Sequence, residues 1–188
     1  MKQFALPLAL AIVAFAAAPL AGQAANLTTA TRDRVEIDTS LGKIVIALDR
    51  KRAPNTVANF LRYVDQRFYN GGSFFRAVPG FVIQGGNKPR ERPSDAKLKL
   101  ETPLVTGVRN TDGAISMART PDPDSATSEF FICDGPQASL DGAPGQPGYA
   151  AFGHVVSGMN VVRAIVRQPA EDQILLTPVR IVRVVRVR

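Results

Sequence analysis

Residue types on which much enzyme chemistry depends are scarce in this chain of 188 residues. It has one cysteine, Cys133, one histidine, His154, and no tryptophan. A single thiol excludes an intrachain disulfide, so stability must come from a packed core. One histidine and one cysteine cannot assemble the usual nitrogen and sulfur zinc sites. Asp122 and Asp124 lack the glycine and the bidentate glutamate that a calcium loop needs at its later positions, where Thr127 and Cys133 stand. No metal or other cofactor is expected. There is no Gly-x-Ser-x-Gly elbow, and Gly85-Gly86 is followed by Asn87 instead of the Lys-Ser or Lys-Thr of a phosphate loop. His154 follows Gly153 on a predicted strand with no serine or cysteine to pair with it, and reads as a partly exposed strand residue.

Long apolar runs are almost as scarce. Phe4 to Ala18, broken only by Pro7, follows the basic start Met1-Lys2 and precedes the small residues of Gly22-Gln23-Ala24. This pattern predicts a signal peptide over residues 1–24, too short for a comfortable membrane span. Leu20-Ala21-Gly22 is followed by Gln23 where a lipoprotein would carry cysteine, so no lipid anchor is expected. Residues 25–34 then read as a lead-in and 35–188 as one domain. The net charge of +7 is dispersed and has neither a recognition helix nor an aromatic platform beside it, which argues against nucleic acid and against stable membrane association after signal cleavage.

What remains is a succession of short β runs. Val35–Thr39 and Lys43–Leu48 flank Ser40-Leu41-Gly42 and predict a hairpin. Pro54 opens a helix whose Val57, Phe60, Leu61 and Val64 recur at i, i+3, i+4, i+7. Phe74–Val78 and Phe81–Gln84 are strands about a Pro79-Gly80 turn, with Gly85-Gly86 closing the pair. Further short runs lie at Gly113–Ala118, Phe130–Cys133 and Ala150–Val156. A second helix fits Met159, Val162, Ile165 and Val166, and Val179–Val187 is β-rich. About eight short strands with two helices imply a barrel or sandwich. Enough bulky apolar residues alternate along the runs to fill a small barrel, which argues against an internal ligand.

The densest chemistry lies in Phe74 to Asn87, FFRAVPGFVIQGGN, which carries a cation, an aromatic and an amide within nine residues, Arg76 to Gln84. Alternation along strands predicts that Phe74, Arg76 and Val78 share one face, and Val82 and Gln84 one face of the next strand. Cations, amides and aromatics without a nucleophile or a metal suit a reaction in which no covalent bond is made or broken.

FFRAVPGFVIQGGN, then GAISMART from Gly113, SEFFIC from Ser128 and GYAAFGHVVSGMNVV from Gly148 stand in the order and spacing of the cyclophilin-type peptidyl-prolyl cis-trans isomerases. The resemblance runs from about Val35 to the C-terminus and is strongest to short periplasmic members from Gram-negative bacteria. It implies a closed eight-stranded antiparallel β-barrel capped by two α-helices, with the groove on its outer surface. It also implies a monomer that binds proline-containing segments of exported proteins and works in the periplasm. Carried over by motif, Arg76, Phe81 and Gln84 are the catalytic residues. Phe81, Val82, Phe131 and Leu140 line the proline pocket, Ala118 is a further substrate-binding residue, Gln84 and Arg119 bind the peptide backbone, and Glu129, Ser139 and Tyr149 surround the rim.

Four of these positions depart from the best-known eukaryotic pattern. Ser139 replaces a tryptophan, Tyr149 a histidine, Arg119 an asparagine and Glu129 a glutamine. The resemblance to the bacterial branch covers Tyr149 and Arg119. Glu129 lies two residues before Phe131, on the same strand face, and is expected to approach Arg76. Ser139 removes an aromatic flank and an indole donor that the family uses to bind cyclosporin. These two departures motivate the alternative of a proline-binding chaperone module with little catalysis.

Overall fold

A computed structural model of the chain describes residues 33–87 and 98–187. The expected signal segment 1–24, most of the 25–34 lead-in and the proline-rich charged stretch 88–95 lie outside the described residues.

Strands β1 (Arg34–Thr39) and β2 (Gly42–Leu48) form the first hairpin, as the turn chemistry predicts. Helix α1 (Pro54–Asp65) follows, then β3 (Ser73–Val78), β4 (Val82–Asn87), the short helix α2 (Pro103–Thr106), β5 (Ala114–Met117) and β6 (Phe130–Cys133). A 3-10 turn at Ala138–Leu140 precedes β7 (Ala151–Ser157), α3 (Met159–Val166), β8 (Ala170–Glu171) and β9 (Ile174–Val187). Hydrogen-bonded neighbours run β1-β2-β7-β5-β6-β4-β3-β9, and β9 pairs back with β1, every pair antiparallel. Eight strands therefore close the expected barrel and leave no free edge among themselves. The two-residue β8 extends β9 as a small hairpin. Beyond the two expected helices, α2 adds one turn: the Thr102 side chain accepts from Leu104 N at its start, and Gly107 at φ 70 ends it.

Alternating apolar side chains fill the barrel, and the helices close it. Val35 and Ile37 of β1, Ile44 and Ile46 of β2, Ile83, Ile115 and Phe152 are fully buried. Helix α1 turns Val57, Phe60, Leu61 and Val64 inward at the expected spacing and adds Thr56 and Tyr63. Its N-cap residue, Ala53, has no capping side chain. Glu101 takes that role from a distant loop, accepting from Asn55 N, Thr56 N and Thr56 Oγ1 at 3.1, 2.8 and 2.6 Å. Phe60 packs 5.2 Å from both Tyr69 and Phe152 and edge-on to Phe130. Burying one such ring contributes roughly 2–3 kcal/mol.

One expectation fails on β3. Phe74 lies opposite Gly85 and Arg76 opposite Gln84, so Phe75 is an extra residue and β3 is bulged there. Phe74 points into the core, edge-on to Phe130, and Ala77 is also buried, while Arg76 is only half-buried and faces the groove. The cause lies at Gly85, where a Cβ would sit 2.7 Å from Ser73 O and 2.8 Å from a Phe74 ring carbon. Two backbones approach so closely only where one residue lacks a side chain. Gly85 and Gly86 therefore do not close the strand, and β4 runs on to Asn87.

Candidate active site

The bulge and the barrel wall together build a shallow cavity outside the barrel. Strands β4 and β6 are apolar on both faces: Ile83, Phe130 and Ile132 belong to the interior core, whereas Val82, Phe131 and Cys133 form a second cluster with Ala114 of β5. Phe81, Ala118, Leu140 and Tyr149 pack on that outer cluster. With Arg76, Gln84 and Arg119 they line a cavity of about 180 Å³. Nine of the residues expected at the site, scattered between positions 76 and 149, thus converge on one cavity. Two lie beside it: Glu129 behind Gln84, and Ser139, exposed on the 3-10 turn next to Leu140.

The apolar wall is held by its turns. Phe81 N donates to Val78 O at 3.0 Å across Pro79-Gly80, with Gly80 at φ 71 where a type II turn needs glycine. The neighbouring loop grips this turn, Gly80 N donating to Asp134 Oδ2 at 2.9 Å and Gln137 Nε2 to Gly80 O at 2.8 Å. Across the cavity Phe131 meets Tyr149 edge-on at 5.6 Å. The Arg119 guanidinium covers the Tyr149 ring at 4.5 Å, which suits the negative face of an aromatic.

The polar edge is a chain of side chains. Arg76 Nη1 donates to Gln84 Oε1 at 3.3 Å, and Gln84 Nε2 donates to Glu129 Oε2 at 3.0 Å. On the other side, Arg76 Nε and Nη2 donate to Gln173 Oε1 at 3.0 and 2.5 Å. The Glu129 carboxylate thus reaches Gln84, not Arg76 as the strand-face argument predicts, because the amide lies between them. Arg119 stands on the other side of the cavity, over Tyr149. Its guanidinium is committed to backbone carbonyls, those of Gly148 (2.9 and 2.7 Å), Thr120 (2.8 Å) and Pro121 (3.3 Å), and so ties two loops together at the rim.

Four residues that support the site were not singled out in the sequence. Asn110 and Asp141 are buried and hydrogen-bonded to each other, Asn110 N and Nδ2 donating to Asp141 Oδ1 at 2.7 and 3.0 Å. Ser116 Oγ donates to Asn110 Oδ1 at 2.6 Å, and Tyr149 N to Leu140 O at 2.8 Å, which anchors the Leu140 and Tyr149 segments to the barrel. Gln173 sits 97 residues from Arg76, inside no motif. Nothing in the local sequence signals any of these long-range contacts.

The remaining reactive groups stand apart from the cavity's chemistry. His154 is exposed on β7. Cys133 is fully buried beneath the cavity floor, and burial, with smaller contributions from Asp141 and Asp112, pushes its thiol up to about 12. A protonated, buried thiol is a poor nucleophile. What the arrangement offers is an apolar slot with a fixed cation at one edge.

Known proteins resemble this chain in sequence and in fold. Residues 34–186 match the family model described as cyclophilin type peptidyl-prolyl cis-trans isomerase/CLD. The chain is 46% identical over 147 residues to peptidyl-prolyl cis-trans isomerase A of Dickeya dadantii, covering 76% of this chain and 75% of that one. It is 41% identical over 135 residues to isomerase B of Escherichia coli, covering 70% and 82%. A Cryptosporidium parvum cyclophilin type isomerase, solved in the presence of the dipeptide Ala-Pro, superposes with a TM-score of 0.72 at 23% identity, covering 82% of this chain and 98% of that one.

Proposed function

The chain belongs to the cyclophilin-type peptidyl-prolyl cis-trans isomerases, and from that premise we propose that it accelerates rotation of X-Pro bonds in exported proteins, with Arg76 stabilising the twisted amide. An X-Pro bond rotates over a barrier of about 20 kcal/mol because amide conjugation must be lost. In the twisted state the prolyl nitrogen becomes pyramidal and basic, so a donor aimed at it stabilises that state more than either planar one. The carrying observation is the Arg76 guanidinium, held by two amides at the edge of a cavity walled by Phe81, Phe131 and Tyr149. The wall suits a proline ring, and fixing the ring confines rotation to the other side of the bond. That the Cryptosporidium cyclophilin was solved in the presence of the dipeptide Ala-Pro is in keeping with such a ligand.

The test is a protease-coupled assay on a proline-containing peptide. Arg76→Ala lowers kcat/KM by at least about a hundredfold, the scale of one lost transition-state donor, with the circular dichroism spectrum unchanged. A folded variant near full activity overturns the mechanism, and an inactive wild type that still binds the peptide favours a chaperone module. The Met1–Ala24 pattern supports a periplasmic site of action, reached with loss of the leader. Cell fractionation with N-terminal sequencing of the mature protein tests it.

A further inference from the structure

We infer that Gln173, at the tip of the β8–β9 hairpin, is a positioning residue that sets the direction of the Arg76 guanidinium. The inference rests on the reading of Arg76 as the catalytic donor. Gln173 reaches Arg76 because β9 slips against β3, Phe74 facing Val179 but Arg76 facing Ile174. The slip brings the hairpin tip onto the bulge, where Ala77 N donates to Gln173 O at 2.9 Å.

Conformation gives the first argument. Asp172 and Gln173 have φ of 47 and 71, the two left-handed positions of a two-residue hairpin turn. Such a turn favours glycine at its second position, where a glutamine is strained. The backbone thus prefers Gly at 173, and the side chain present there spans to Arg76. Strain of this kind concentrates where function needs a particular residue.

Donor accounting gives the second. A guanidinium has five N–H groups in a rigid fork. Gln173 takes one from Nε and one from Nη2, and Gln84 takes one from Nη1. One N–H on each terminal nitrogen is left for substrate, and with acceptors on both flanks the fork cannot turn freely. The residue type matters as well. An amide oxygen orders the guanidinium without opposing its charge, whereas a carboxylate at the same place would offset the positive potential that the basic prolyl nitrogen meets.

Gln173→Gly removes the side chain and relieves the turn, and Gln173→Asn keeps an amide too short to reach. Both should lower kcat about tenfold, a 1.4 kcal/mol change, with KM within twofold and, for Gln173→Gly, thermal stability equal to wild type or higher. Hydrogen exchange of the Arg76 Nε–H, followed by NMR, should quicken in both variants. In an Arg76→Ala background Gln173→Gly should change nothing further. Wild-type kcat or unaltered exchange in the Gln173 variants, or an equal additional loss on top of Arg76→Ala, overturns the positioning role while leaving the catalytic reading of Arg76 standing. Full activity in Arg76→Ala alone overturns that reading, and this inference with it.

Discussion

Glu129 decides which way Gln84 faces. A carboxylate can only accept, so the Gln84 amide turns its NH2 toward Glu129 and its oxygen toward Arg76. The carboxylate therefore influences Arg76 through an intermediary. Glu129→Gln keeps an acceptor oxygen, and its kcat/KM is expected to stay within about threefold of wild type, because a neutral hydrogen bond replaces a charge-assisted one. Glu129→Ala frees the Gln84 amide to turn, and a loss of up to about tenfold is expected, equal to about 1.4 kcal/mol. A rise of several-fold in Glu129→Gln at low salt would mean that the carboxylate does restrain Arg76. At the opposite rim, exposed Ser139 lacks the ring and the donor that the family uses to bind cyclosporin. Ser139→Trp should tighten cyclosporin inhibition by tens-fold, about 2 kcal/mol at a contact of this kind. Equal potency in the two proteins would show that another residue replaces the missing contact.

At the scale of elements, the β3–β4 pair carries the site, and its bulge is the feature that matters most. Phe74 must enter the core and Arg76 must face the groove, yet residues two apart on a regular strand share a face. The extra residue, Phe75, resolves the conflict, and Gly85 permits it by letting β4 close on Ser73 and Phe74. Gly85→Ala should destabilise the fold by about 1–3 kcal/mol, the range for an overpacked core position. It should also lower kcat/KM beyond the loss of folded protein, because β3 must move to accept the methyl. Urea denaturation and the isomerase assay on the folded fraction separate the two effects; unchanged values of both would show that the strands tolerate wider spacing. Periodicity made the flanking strands legible, and Pro79-Gly80 the turn between them. The bulge was not legible, since it arises where two chains meet and one has no side chain.

For the whole molecule, stability rests on one closed barrel with capped ends, and two buried acids give it an alkaline limit. Tyr69 is fully buried, donating to Ser128 O at 2.8 Å, and burial followed by Tyr63 raises its hydroxyl well above the usual range. The Cys133 thiol is raised to about 12. Both stay protonated in the fold, whereas in the unfolded chain they ionise at their ordinary values, about 8.5 for cysteine and 10 for tyrosine. The unfolded chain then binds fewer protons, so this stability is complete below those values and falls as pH rises through them, by about 1.4 kcal/mol per pH unit for each group. Tyr69→Phe should lower stability at neutral pH by about 1–3 kcal/mol, since Ser128 O loses its donor, and flatten the decline above about pH 10. Urea titrations from neutral to alkaline pH read both effects. A decline as steep as wild type in Tyr69→Phe would assign it to other groups.

The sequence by itself determined the first hairpin, the Pro79-Gly80 turn, the inward faces of α1 and α3 and, through four motifs in register, the family and most of the cavity's lining. These are matters of local periodicity, turn residues and spacing, which a chain carries wherever its parts end up. Only the tertiary structure decided which donors and acceptors meet. Gln173 reaches Arg76 across 97 residues, Glu101 caps a helix 45 residues away, and Asp141 joins Asn110 across 31. Phe131 reads as one more core aromatic, yet it floors the site because β6 is packed on both faces, one inside the barrel and one beneath the groove. A closed barrel brings distant segments into contact through strand order and register, and polar partners at such separations leave no periodic trace.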